Sequence, residues 1–105
     1  MRTSFPTGST FILYIQKLRY TFDARKLAFN VSKHQVWFEQ ANDFEWETAI
    51  VCIDCRKRYP ETRFQAIGYI SKRLYVLIFC LRENEVRIIS LRKANRREVE
   101  HYAEA

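Results

Sequence analysis

The chain is 105 residues long, with 48% hydrophobic and 15% aromatic residues, enough for one compact core and too short for a second. Only two glycines and two prolines occur, which excludes long linkers and low-complexity segments. Eighteen Lys and Arg against twelve Asp and Glu give a formal charge of +6. An anionic partner (nucleic acid, a membrane surface or an acidic protein) then competes on equal terms with a domain that is merely basic.

Residues 1–16 carry Pro6, Gly8 and several Ser and Thr residues before a short apolar patch, Phe11 to Ile15. The patch is too short to cross a membrane, and the segment lacks the basic start and cleavage site of a secretory signal, so a cytoplasmic protein with no membrane partner is expected. The segment reads as a dispensable extension of a domain spanning residues 17–105, either flexible or adding one strand. A short strand around residues 18–22 opens the domain.

Asp23 is placed to cap a helix running to about His34. Ala24, Leu27, Ala28 and Val31 form its expected buried stripe; Lys26, Asn30 and Lys33 form a polar stripe with His34 beside it. VWFEQANDF at 36–44 reads as a second short helix. Strands follow at 48–55, 62–70, 74–82 and 85–92, and their short connections join antiparallel neighbours. Asn95 is placed to cap a last helix, with Glu98 three residues later to complete a capping box. The expected class is α+β: a mainly antiparallel four-stranded sheet, with or without an N-terminal strand, two helices before it and one after.

Three cysteines, Cys52, Cys55 and Cys80, read as small apolar core residues in a reducing compartment. The C-I-D-C at 52–55 lacks a second close ligand pair for zinc and lies in a β-branched run rather than at a helix start. Asp43, Glu45 and Glu47 alternate, as an ordinary solvated loop does. No metal or cofactor is expected. Strict alternation puts Val86, Ile88, Ser90 and Arg92 on one face of the last strand, with Arg87, Ile89 and Leu91 on the other. Arg63 and Arg92 interrupt apolar rows near strand ends. They are either rim residues with their stems on the core or, with Ser90 and Tyr69, parts of a phosphate-binding concavity. RNA permits cleavage without a metal, because its own 2′-hydroxyl can attack the adjoining phosphate. A base, positive charge and an acid must then be placed around that phosphate. His34 titrates in the useful range; His101 is set aside because it falls on the exposed last helix.

The strings TFDARKLAFNVSKHQVWFEQA, RFQAIGYI and RIISLRKANRREVEHY, in that order across roughly residues 20–102, resemble the BrnT family of bacterial type II toxins. The resemblance implies a RelE-like fold and an endoribonuclease that arrests translation. It also implies a BrnA-type ribbon-helix-helix antitoxin, through which alone the complex would contact operator DNA. The family positions that transfer are Lys26, Asn30, Lys33, His34, Phe38, Arg63, Gly68, Arg87, Ser90, Arg92, Arg96, Arg97, Glu98 and Tyr102. Gln35 stands where the family usually has glycine, so positive φ there would strain it. On this basis His34, or Lys33 beside it, is the candidate for proton transfer, and Arg63 and Arg92 for stabilising the transition state. Lys26, Lys33, Arg87, Arg96 and Arg97 are candidates for the RNA backbone. Two alternatives stay open: a non-catalytic nucleic-acid-binding module using the same basic surface, and an inert partner of the antitoxin.

Overall fold

The computed structural model describes residues 9–105; Pro6 and Gly8 lie outside them. In chain order the elements are α1 (Ser9–Gln16), β1 (Arg19–Phe22), α2 (Ala24–His34), two 3-10 helices (Phe38–Asp43 and Trp46–Thr48), β2 (Ile50–Ile53), β3 (Phe64–Ile70), β4 (Arg73–Arg82), β5 (Glu85–Lys93) and α3 (Arg96–Glu104). The strands make one five-stranded sheet in the order β1-β5-β4-β3-β2, antiparallel except for the parallel β1–β5 pair. This is an α+β architecture consistent with a RelE-like fold, and its added strand is the short one just before α2.

The apolar patch FILYI is helical instead of forming a strand. Ile12 and Ile15, three residues apart, turn to the core at 4% and 2% exposure, while Leu13 and Tyr14 stay exposed. A five-residue apolar run does not choose between the two periods, and tertiary packing decides it. Ile12 and Ile15 join Phe38, Trp46, Val51, Leu77, Phe79, Val86, Ile88 and Leu91 in one cluster, so α1 shares the core of the domain. Gly68 of β3 faces this cluster. An added Cβ there would lie 2.7 Å from the Phe44 ring, too close for any side chain.

Pairing registers place side chains on faces. Cys80, Ile78 and Val76 alternate along β4 and share one face, and their β5 partners are Arg87, Ser90 and Arg92. The register shifts between Phe79↔Ile88 and Ile78↔Ser90, so Ile89 is an inserted bulge residue. Strict alternation had separated Arg87 from Ser90 and Arg92; the bulge reverses the phase and unites them. Val86, Ile88 and Leu91 all join the main core on the opposite face. On β3, Gln65 pairs with Ile78 and Ile67 with Val76, so Arg63, one step before the strand, extends the same outer row.

α2 also differs from its expected stripe. Ala24 and Ala28 are exposed, and Leu27 and Val31 are half-buried. The one buried residue of the helix is Asn30, assigned by pattern to the polar side. β2 is shorter than expected and ends at Ile53, which leaves Cys55 exposed while Cys52 and Cys80 are buried. Cys55 is therefore a loop residue and no part of the core.

Replacing Ile15 with Ala should cost about 2–4 kcal/mol by chemical denaturation, the usual range for a buried large-to-small change. Removing residues 1–16 should lower Tm further. An unchanged Tm after that deletion would show that the segment is a separable extension.

Candidate functional site

The outer face of β5 and the adjoining side of α2 carry most of the candidate residues. α2 starts cleanly because the Asp23 carboxylate accepts a 2.7 Å hydrogen bond from Arg25 N–H. That bond, with the Arg87 charge nearby, holds the carboxyl below its ordinary range. The helix ends at Gln35, which has φ 57° and ψ 35°. The conformation is left-handed and suits glycine; a residue with a Cβ pays roughly 1–2 kcal/mol. The Gln35 side chain recovers part of this by donating to Ser32 O at 3.0 Å.

Asn30 fixes the helix against β5. β1 pairs with β5 only as far as Ile88, and beyond it Asn30 takes over the exposed strand edge. Its Nδ2 donates to Leu91 O at 2.7 Å and Val36 O at 3.0 Å, and its Oδ1 accepts from Leu91 N–H at 3.1 Å. One side-chain amide thus does the work of another strand residue and holds the turn after α2.

The result is a groove of two adjoining hollows, with Lys26 and Ile89 lining both. The first, about 340 Å³, is bounded by Arg25, Phe29, Lys33, His34 and Ser90. The second, about 240 Å³, brings Arg63, Arg82 and Arg87 together with Asp23, Tyr59, Glu61 and Cys80. Burial lowers the His34 pKa below its ordinary 6.5, and the charges of Lys33 and Arg92 lower it further, so the imidazole is neutral near pH 7 and able to accept a proton. Arg63 lies over the Tyr59 ring, 4.2 Å from its centroid. Among the described residues, neither Arg63 nor Arg87 forms a salt bridge. Glu61 pairs with Arg82 at 2.7 Å, and that hydrogen bond holds its carboxyl down, helped by the charges of Arg82, Arg63 and Arg87. The arrangement can neutralise an anion and accept a proton.

Arg92 reaches the same face with its fork already engaged. Nη1 and Nη2 each donate to a Glu98 oxygen at 2.7 Å, and Nη1 also contacts Lys93 O at 3.3 Å. Glu98 is at the same time the third residue of the expected capping box: its carboxylate accepts Asn95 N–H, and its own N–H donates to Asn95 Oδ1, both at 2.9 Å. α3 buries no residue of its own. It is held by this pair, by the edge-on Tyr69–Tyr102 contact and by Tyr102 Oη donating to Thr48 O at 2.8 Å. Arg96 stands apart from the groove. It pairs with Glu100 and lines a separate hollow with Lys72 and Arg73. Arg97 is exposed and lines neither groove hollow.

The structure therefore gathers Lys26, Lys33, His34, Arg63 and Arg87 along the groove, sets the charge of Arg92 near His34 without its lining either hollow, and leaves Arg96 and Arg97 outside. Sequence reading missed Arg82, Tyr59 and Glu61, for which only the bounds of the strands at 62–70 and 74–82 gave a hint. Among the described residues no group of three or more His, Cys, Asp or Glu is arranged to hold a metal ion, and no helix is long and apolar enough to cross a membrane. A family profile described as "Ribonuclease toxin, BrnT, of type II toxin-antitoxin system" matches residues 22–98. No curated protein matches the chain.

Glu98→Ala removes the Arg92 fork and half of the capping box together. It should cost about 2–4 kcal/mol in equilibrium unfolding, since Arg92 is left partly buried without its counter-charge. A loss below about 0.5 kcal/mol would mean that α3 is held by Tyr102 alone.

Proposed function

The chain belongs to the BrnT family of ribonuclease toxins of type II toxin–antitoxin systems, and from that premise we propose that it cleaves RNA in the cytoplasm without a metal, arresting translation until a BrnA-type ribbon-helix-helix antitoxin neutralises it. The observation that carries this reading is the gathering of Lys26, Arg63 and Arg87 at one hollow and of Lys26, Lys33 and His34 at the next. Permanent positive charge stands beside a neutral imidazole, as a transesterification at phosphorus requires.

In the proposed reaction the 2′-oxygen of one nucleotide attacks the adjoining phosphorus and its proton passes to His34. The bond from phosphorus to the 5′-oxygen of the next nucleotide breaks, and the protonated Lys33 ammonium supplies the proton which that oxygen needs. The products are a 2′,3′-cyclic phosphate and a 5′-hydroxyl. Arg63 and Arg87 spread positive charge around the five-coordinate phosphorus, where a fork of donors matches the equatorial oxygens. Arg92 would have to leave Glu98 before it could grip a phosphate bidentately. Its role in the resting arrangement is to place charge beside His34 and to tie down α3. Arg96 and Arg97, outside the groove, extend the basic surface for the flanking backbone.

Purified protein and a single-stranded RNA test this. His34→Ala and Arg63→Ala should each lower kcat/KM by about two to three orders of magnitude with the fold retained. The wild-type rate should rise with pH through a pKa below 6.5 and then level off as the base becomes neutral. Arg92→Gln removes a neighbouring positive charge, so it should move that limb to higher pH. Variants at His34 and Arg63 that cleave at the wild-type rate would overturn the assignment. A wild-type protein that binds RNA without cleaving it would be the binding module instead.

A further inference from the structure

Phe29 is the most exposed large hydrophobic residue in the described chain, at 67% exposure. Single exposed apolar side chains are common, so exposure alone carries nothing. Its position gives it meaning. The contacts that fix α2 come from Asn30, with Leu27 packed against the core, so packing does not require an aromatic residue at position 29. Helix propensity does not favour Phe there either, since Ala, Lys or Glu would serve better on an exposed helical site.

The ring lines the first groove hollow with Arg25, Lys26, Lys33, His34, Ile89 and Ser90. Lys33 Nζ stands 5.7 Å from its centroid. An aromatic face, an apolar floor at Ile89 and a hydroxyl at Ser90 thus meet within a space of about 340 Å³, ringed by cations. Nucleobases of unpaired RNA are recognised by stacking on such rings next to positive charge. The adjoining hollow, joined through Lys26 and Ile89, holds the arginines that suit a phosphate. Base and phosphate of one strand can then occupy neighbouring compartments. An acidic peptide would use the charge but has no need of an aromatic-lined compartment of this size beside a second one rich in arginine.

We propose that this hollow is a nucleobase site, in which Phe29 stacks on an unpaired base of single-stranded RNA next to the phosphate held at Lys26. The inference rests on the ribonuclease reading and adds a specificity-determining residue to it. Ser90, which lines the same hollow, supplies a hydroxyl for the edge of the stacked base.

The probe is a short single-stranded RNA made uncleavable by 2′-O-methyl groups, with binding followed by fluorescence anisotropy. Phe29→Ala should weaken binding by about 5- to 150-fold, the loss expected for one stacked base. Phe29→Leu, apolar but not aromatic, should fall near Phe29→Ala, and Phe29→Trp should match or exceed wild type. The salt dependence should stay the same in all three, because no cation is removed. An oligonucleotide made abasic at the stacked position should bind wild type more weakly and show no further loss with Phe29→Ala. Unchanged RNA affinity in Phe29→Ala, or full affinity in Phe29→Leu, overturns the base site. So does a Phe29→Ala protein that binds RNA normally and loses only its antitoxin. Wild-type protein that does not bind the probe at all overturns the ribonuclease reading, and this inference with it; cleavage by wild type with no effect at Phe29 overturns this inference alone.

Discussion

The candidate site depends on one side-chain amide. β5 leaves an edge of unpaired backbone beyond Ile88, where β1 stops, and such an edge must be paired or covered. Asn30 covers it by bonding both polar groups of Leu91 and the carbonyl of Val36. This docks α2 in a single axial and rotational position. Lys26, Phe29, Lys33 and His34 are all within four residues of Asn30, so their placement over β5 follows from it. A buried amide with both ends satisfied is directional in a way that Leu27 or Val31 cannot be.

A second tie, from Arg92 to Glu98, starts at the next residue of the same strand. Two charge-assisted bonds at 2.7 Å between side chains 24% and 15% exposed hold a helix that buries nothing of its own. The same carboxylate caps that helix, so strand, turn and helix share one anchor. The groove gathers Lys26, Lys33, Arg63, Arg82 and Arg87 against Asp23 and Glu61. The excess positive charge favours drawing a phosphodiester in. It also favours keeping the imidazole beside it neutral.

Much of the fold was legible because the local signals agree with the global arrangement. Asp23 and Asn95 mark their helix starts, and Glu83 and Asn84 mark the last hairpin. The three recurring motifs identify the family. What was not legible came from effects with no local period. The bulge at Ile89 inserts one residue and reverses every face after it, so Arg87 was put on the wrong side from Ser90 and Arg92. The pattern puts Asn30 toward solvent, where an asparagine in a helix usually belongs; only the unpaired edge of β5, at Leu91 some 61 residues on in sequence, turns it inward. The patch FILYI is ambiguous by length, and the pattern shows Glu98 only as a cap, so it gives no sign that the same carboxylate engages Arg92.

The chemistry itself is tested most directly by the ends of the RNA products. Incubating the purified chain with a defined single-stranded RNA in excess chelator and weighing the fragments by mass spectrometry should show a 2′,3′-cyclic phosphate on one side of each cut and a 5′-hydroxyl on the other. Cleavage that stops when divalent ions are removed, or products ending in a 3′-hydroxyl and a 5′-phosphate, would contradict a mechanism built on the 2′-hydroxyl, His34 and the groove arginines.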